Sequence, residues 1–406
     1  MRILLAPTNI GNQGQLQAAA LRARGHEAEF WQLGKSAFSF AHDRQLEWPT
    51  SSSEALALFS EIALADYDVI HFHFGRSLTP KANPLGELWD LALWRQLNVR
   101  LIMSFHGTEM RDAEKEKQLD RWSYYHFGAP HNTPEVLAKR LGAIRQNVDA
   151  MTVSAGSNFL HVPDANYLPL AVDTEAIQPA APPSRVIPVI AHAPSRRSTK
   201  GTDFVLAALD TLQAQGVQFE VDLIEGVDNA EVIRRISNAD IVIEKVLGDG
   251  YGVTALEAFA AGRPVVTRAT ERATKWAPGF PGVSADPDTL VTTLRALVES
   301  PSQRVAIGAA SREFAVEHHG LAAVGRALER LYTDVDVVPP AVSSDPRSAA
   351  LAQEVAHLRS QNLALASAKE QASASAAREK KARQSAQRVL GYRVQRRILR
   401  AFGRKL

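Results

Sequence analysis

Gly248-Asp249-Gly250-Tyr251-Gly252-Val253-Thr254-Ala255-Leu256-Glu257-Ala258-Phe259-Ala260-Ala261-Gly262-Arg263-Pro264-Val265-Val266 reads as a loop, a helix over 254–261 and a strand over 264–268. Its glycines let the loop turn backbone N–H groups outward, and the loop runs straight into a helix start. The first N–H groups of a helix have no intrahelical partner and its N-terminus carries partial positive charge, so this is a place for phosphate. Glu257, one turn in, can face a polar group of the same ligand, and Asp249 sits at the other end of the loop. The same letters allow another reading, in which Thr254 and Glu257 form a capping box and Glu257 returns to its own backbone.

Short apolar runs alternate with helix-length segments on both sides of this stretch. Strands are predicted over 2–7, 28–32, 69–74, 100–105, 150–154 and 167–169, with helices over 13–24, 54–65 and 85–97. Gln178-Pro179-Ala180-Ala181-Pro182-Pro183 then interrupts the series, as an exposed connection between domains would. The alternation restarts with strands over 186–192, 220–225, 241–245 and 264–268 and helices over 202–215, 230–238 and 254–261, followed by helices over 301–318 and 321–332. Repeated βα units predict parallel sheets, and two such series predict two Rossmann-like α/β domains facing across a cleft. The expected boundaries are 1–172 for the first domain, completed by 318–335, then 173–317 for the second, and 336–406 for a linker, a helical segment and a tail.

The 406 residues are 45% hydrophobic and 22% charged, the make-up of an ordinary globular chain of two to three domains. The absence of cysteine excludes disulfides, thiolate zinc sites, iron–sulfur clusters and a cysteine nucleophile, and it fits a reducing, cytoplasmic location. The apolar run in residues 1–7 is too short for a signal peptide, and no stretch is long enough to span a membrane. The net charge of +2 is uneven: residues 378–406 carry +10 and the remainder −8. The body is therefore not expected to grip nucleic acid, whereas the tail invites an anionic surface. No G-x-x-x-x-G-K-[ST] loop occurs, and the first turn offers only Gly11-x-x-Gly14 rather than G-x-G-x-x-G, which disfavours P-loop NTPases and dinucleotide dehydrogenases. Ser154-Ala155-Gly156-Ser157 lacks the order of a nucleophile elbow.

Asp249 and Glu257, with seven residues between them and Ala258-Phe259-Ala260-Ala261-Gly262-Arg263-Pro264-Val265 behind, resemble the hallmark of the GT-B fold nucleotide-sugar glycosyltransferases, specifically the large retaining GT4 family. The family usually has Glu where this chain has Asp249. The resemblance implies an α/β, GT-B architecture in which Glu257 holds the ribose hydroxyls, Asp249 meets the donor sugar, and Gly250, Tyr251, Gly252, Val253 and Thr254 adjoin the donor. His192-Ala193-Pro194-Ser195-Arg196-Arg197-Ser198-Thr199-Lys200-Gly201-Thr202 is similar to the family's basic loop. Lys200 is then expected on the donor diphosphate together with Arg196 or Arg197, the alternative being a solvated loop of three cations. Leu168-Pro169-Leu170-Ala171-Val172-Asp173 resembles the Pro-x-x-Val-Asp start of the interdomain linker, and Gly11 lies where a glycine-rich loop of the first domain faces the donor. His106 ends a strand at the edge where α/β ligands bind, and similar enzymes use a His there to reach the donor sugar. A capping or core histidine is its alternative. The resemblance covers residues 1–335 and is most specific over 186–268.

It implies a retaining transfer of a sugar from a nucleoside-diphosphate sugar to an acceptor held by the first domain, a cell-envelope glycan or a lipid-linked molecule being the expected kind. Asp249, His106 and Lys200 are the expected catalytic residues. No metal cofactor is expected, since cations and the helix start can stabilise the leaving diphosphate. A sugar-nucleotide epimerase and a catalytically silent scaffold on the same fold are the competing readings, and Asp249 favours the scaffold. His71 and His73 share one face of a strand, a geometry open to a metal pair, but with no third ligand nearby, satisfied strand-end histidines are the favoured reading.

Beyond Pro339-Pro340-Ala341-Val342-Ser343-Ser344 the chain is rich in Ala, Gln, Ser, Lys and Arg. Leu351, Val355, Leu358 and Leu365, with Asn362 in a polar slot, predict a short coiled coil and a homodimer through 351–365, against a solvated or docked helix. Leu390, Val394, Ile398 and Phe402 recur every four residues among arginines. They predict a basic amphipathic helix over 389–406 that contacts an anionic membrane at its inner face. A solvated helix, nucleic-acid adhesion and docking on the acidic body are the alternatives.

Overall fold

The computed structural model describes residues 1–35 and 40–334, together with scattered positions between 350 and 378. Residues 1–35 and 40–334 form two α/β domains. The first sheet holds β1 (Arg2–Ala6), β2 (Glu27–Leu33), β3 (Arg44–Leu46), β4 (Val69–His73), β5 (Arg100–Phe105), β6 (Ala150–Val153) and β7 (Asn166–Tyr167), in the order β3-β2-β1-β4-β5-β6-β7. The second holds β8 (Val189–His192), β9 (Glu220–Leu223), β10 (Ile241–Lys245), β11 (Val265–Thr267) and β12 (Val283–Ser284), in the order β12-β11-β10-β8-β9. Every pairing is parallel.

Parallel strands covered by helices are apolar on both faces, and β1 follows this rule. Leu4 and Ala6 enter one core with Ile70, Phe72, Leu101 and Met103, while Ile3 and Leu5 enter another with Val69, Ile102 and Leu328. Strand order reverses between β1 and β4 in the first sheet and between β8 and β10 in the second. Each reversal opens a crevice beyond the strands' carboxyl ends.

Departures from the sequence reading have local causes. β3 and β12 are only three and two residues long, too short for a periodic signal. β8 begins at Val189 rather than 186, because Pro188 has no N–H for a ladder and Val186 is 86% exposed. The helix sought over 85–97 is confined to Asp90–Gln96. Gly86 and Leu88 ahead of it have left-handed φ angles, and the buried Asp90 carboxylate accepts hydrogen bonds from Ser77, Leu78, Thr79 and Trp94.

The Pro-rich connection is exposed over 178–182 but pinned through its carbonyls. Arg263 donates to Ala181, the fully buried Arg304 to Pro183 and Arg185, and Arg312 to Thr174 and Ile177. The chain then crosses back: Val172 bridges Gly320, and the helix Leu321–Asp334 packs on the helix Gln13–Arg22 of the first domain. Leu351, Val355, Asn362 and Leu365, and the whole of 389–406, lie outside the described residues; Leu358 is exposed. Among the described residues no helix is long and apolar enough to cross a membrane.

Candidate functional site

The carboxyl ends of β1, β5 and β6 face those of β8 and β10 across a cavity of about 210 Å³. Ile10, His106, Arg111 and Ser154 line it from the first domain, and Lys200, Glu244, Lys245, Asp249 and the Tyr251–Val253 loop from the second. The domains also touch beside it. Arg268 grips Asp120 through both carboxylate oxygens at 2.6 and 2.8 Å. Gly248 N donates to Trp122 O at 2.8 Å, and Ser157 Oγ donates to Asp249 O at 3.2 Å.

The glycine-rich loop is shaped by its glycines. Gly248 and Gly250 have φ of 70° and 108°, a region closed to most side chains, and the helix Val253–Ala260 starts behind Gly252 with no side chain closing its first turn. Its leading N–H groups therefore remain free for a ligand. Gly11, at φ 55°, brings the first-domain loop against this helix start. A Cβ on Gly11 would lie 2.6 Å from Val253 Cγ2, so only glycine permits this approach of the two domains. The capping-box reading of Glu257 does not hold, since Gly252 rather than Thr254 is the N-cap. The Glu257 carboxylate is buried and accepts from Asn229 Nδ2 at 3.0 Å. Burial pushes its carboxyl up to about 7, against the opposing pull of Asn229.

Other expected residues are placed differently. Asp249 lines the cavity, but its side chain is committed elsewhere: it accepts from Thr270 N at 2.9 Å and Thr270 Oγ1 at 2.8 Å and pairs with Arg272 at 3.1 Å. An aspartate is short enough to be held by this loop, and its carboxylate has little left for a sugar. Tyr251 borders the cavity, yet its ring stacks on Phe280 and its hydroxyl meets His319 Nε2 at 3.2 Å, so the side chain serves the core. Of the two arginines in the basic loop, Arg197 is turned outward and paired with Glu225 at 2.5 Å, whereas Arg196 is exposed with no ion pair among the described residues. Lys200 does reach the cavity, its Nζ 2.5 Å from Glu244 Oε1.

His106 also reaches the cavity, through a buried histidine row. His71 Nδ1 meets Tyr332 OH at 2.8 Å and His71 Nε2 meets Ser104 Oγ at 2.6 Å. With both nitrogens taken, His71 fits the favoured reading of a satisfied histidine at the strand end rather than the metal-pair alternative. His73 stacks between His71 and His106, and its Nδ1 lies 3.1 Å from His106 Nε2. Burial pushes His106 down to about 4, so the ring is neutral at pH 7. Its Nδ1 is buried without a hydrogen-bond partner among the described residues.

Sequence reasoning missed Arg111, Glu244 and Lys245. Strict alternation sends neighbouring strand residues to opposite faces, but the register of β10 against β11 shifts between Ile243 and Lys245. A bulge of this kind re-aims side chains, and both Glu244 and Lys245 line the cavity. Burial alone would raise the Glu244 carboxyl; Lys200 and Lys245 outweigh it and draw it down to about 2. Also unforeseen is a larger cavity of about 490 Å³ within the first domain, lined by Trp48, Phe74, Arg76, Lys81, Glu109 and His131 among others. Glu109 connects the two places, its carboxylate accepting from the backbone N–H groups of His106 and Gly107.

The sequence profile described as Glycosyl transferases group 1 matches residues 200–314, the segment that carries Lys200, the glycine-rich loop and Glu257. No curated protein shows a significant sequence match. Solved structures do match in shape, at low identity. The sucrose-phosphate synthase of Thermosynechococcus elongatus is 14% identical, with 82% of this chain and 99% of that chain covered and a TM-score of 0.59. Anabaena HepE in complex with UDP is 12% identical, with 82% and 100% covered and a TM-score of 0.58. An alpha-glucosyltransferase in complex with UDP-glucose and DNA is 13% identical, with 82% and 99% covered and a TM-score of 0.54. The chain has the GT-B fold, and its residues 200–314 carry the glycosyl transferases group 1 pattern.

Proposed function

We propose that the protein is a retaining glycosyltransferase of the GT4 kind, transferring a hexose from a nucleoside-diphosphate sugar to an acceptor held by the first domain. The observation that carries this reading is the cavity at the facing strand ends, where Lys200 and the unblocked helix start behind Gly252, both within the segment that matches the family profile, meet His106 of the first domain. Glu257 holds the ribose hydroxyls, Lys200 and Arg196 serve the diphosphate, and the neutral His106 borders the donor sugar. Charge develops on the leaving diphosphate, so preorganised cations and N–H groups stabilise the transition state more than the ground state. Transfer on this scheme needs no metal, and a chelator should leave the rate unchanged. A volume of about 210 Å³ is below the roughly 300–1,000 Å³ of pockets that enclose drug-sized ligands. The nucleoside therefore extends outward toward Glu257, or the domains part to admit it.

The acceptor belongs in the larger first-domain cavity. The Arg76 guanidinium lies over the Trp48 and Phe74 rings, 5.9 and 5.3 Å from their centroids, and Lys81 is a second exposed cation of this cavity, a combination suited to a glycan or a lipid-linked acceptor carrying phosphate or carboxylate. Residues 389–406 are proposed to bring the enzyme to an anionic membrane, and 351–365 to pair two chains. The deciding experiment is release of nucleoside diphosphate by the purified full chain from a panel of uridine, guanosine and adenosine diphosphate sugars. Slow hydrolysis of one donor supports the enzyme. Donor binding without turnover, with or without acceptors, favours the silent scaffold, whose supporting observation is the engagement of Asp249 by Thr270 and Arg272.

A further inference from the structure

The charges around the smaller cavity do not balance. Three cations line it, Arg111, Lys200 and Lys245, against two carboxylates, Glu244 and Asp249. Asp249 is taken by Arg272, so Glu244 alone faces the three cations. It bonds Lys200 at 2.5 Å and receives Thr267 Oγ1 at 2.7 Å on its other oxygen.

Arg111 has no carboxylate within ion-pair distance among the described residues. Its Nε and Nη2 donate to Asn158 Oδ1 at 2.9 and 2.7 Å, and its Nη1 donates to the Tyr124 hydroxyl, all neutral partners. Glu116, which attracts it through space, is bonded to His161 at 2.7 Å. Lys245 has neither an ion pair nor a side-chain hydrogen bond among the described residues, and burial lowers its ammonium to about 8. Enclosed cations with no carboxylate in direct contact are costly, and a fold that places two of them around one cavity, one beside a register shift in its strand, is suited to receive an anion between them.

We infer that Arg111 of the first domain and Lys245 of the second form the principal site for the diphosphate of the donor, with Lys200 held back by Glu244 in a supporting role. The inference rests on the glycosyltransferase reading for the identity of the ligand, and it goes beyond that reading in which residues bind the charge. It has a structural consequence as well. An anion held between residues of different domains draws the two together, so domain closure and phosphate binding become one event.

The test is calorimetric titration of the full chain with UDP, GDP, ADP and inorganic pyrophosphate, using wild type, Lys245→Met and Arg111→Gln, with melting temperatures of the ligand-free proteins. Losing one charge-assisted contact should weaken nucleoside diphosphate and pyrophosphate binding roughly ten- to a hundredfold. Lys245→Met should at the same time melt no lower than wild type, because it removes an enclosed charge that no carboxylate contacts directly. Should Arg111→Gln misfold through loss of its bonds to Asn158 and Tyr124, Lys245→Met carries the test and Arg111→Lys replaces it. Wild-type affinity in Lys245→Met overturns the inference and leaves the enzyme reading intact, and so does a lowered melting temperature with binding unchanged, the mark of a structural lysine. If wild type binds no nucleoside diphosphate, the enzyme reading fails instead; Lys245-dependent pyrophosphate binding would still uphold an anion site, and its absence would overturn that too.

Discussion

Glu257 combines its proposed binding role with a measurable electrostatic cost. Its carboxyl titrates near 4.5 when unfolded and at about 7 in the folded protein, because it is buried. Between these values the folded chain keeps a proton that the unfolded chain releases. The stabilising contribution is thus fully present below about pH 4.5 and lost as pH rises through about 7. A shift of this size is worth on the order of 3 kcal/mol. Glu257→Gln should therefore flatten the melting temperature across that window and melt above wild type at pH 8, while binding donor more weakly. Melting curves from pH 4 to 9, paired with donor titrations, check both halves. A pH profile that survives the substitution would mean that another group titrates there. Glu257→Ala should cost roughly 2 to 4 kcal/mol of transition-state stabilisation, about 30- to 1,000-fold in rate, if the carboxylate touches the donor.

The elements that matter most are the two loops meeting at the cavity. Gly11 sits at φ 55° with Val253 Cγ2 2.6 Å from where a Cβ would be. Gly11→Ala therefore adds a left-handed backbone cost of about 1–2 kcal/mol to a steric push against the helix Val253–Ala260. We expect it to lower both melting temperature and turnover. Val253→Ala in the same chain should relieve the push but not the backbone cost, giving partial recovery. Full recovery would show that the φ angle relaxes, and no effect of Gly11→Ala at all would show that the domains do not meet this closely in solution.

At the scale of the molecule, the bidentate pair of Asp120 and Arg268 joins the domains, with side chains only 5% and 12% exposed. Breaking one side of such a buried pair leaves the other charge unpaired, at about 3–5 kcal/mol. Asp120→Ala should lower the melting temperature by several degrees and raise KM for the donor, and adding Arg268→Leu should restore part of the stability. If the double variant is no more stable than Asp120→Ala, the pair is not coupled. The proposed membrane contact also belongs to this scale. Anionic lipid contributes about 1 kcal/mol per basic residue near the surface, so the full chain should sediment with anionic vesicles at low salt and a truncation ending at Ser385 should not. Equal behaviour of the two forms removes the tail from membrane binding.

The sequence alone determined the parallel α/β architecture, because unbroken apolar runs such as Ile3–Ala6 and Ile241–Ile243 suit only strands covered on both faces, and the spacing of those runs leaves room for crossover helices. It also located the glycine-rich loop, the helix start and Lys200, since their chemistry is local: glycine permits a backbone that other residues resist, and a helix start is fixed by a few consecutive residues. What a side chain touches is decided by distant chain segments, and there the tertiary structure ruled. Asp249 is held by Thr270 and Arg272, Arg197 by Glu225, and Tyr251 by Phe280 and His319, partners that no spacing around the motif reveals. Lys245 escaped notice because a bulge broke the two-residue period of its strand, and Arg111 because its loop gains meaning only when a second domain faces it. Period and turn chemistry act over a few residues and can be read in order along the chain, whereas charge balance in a cavity is a sum over groups that only folding brings together.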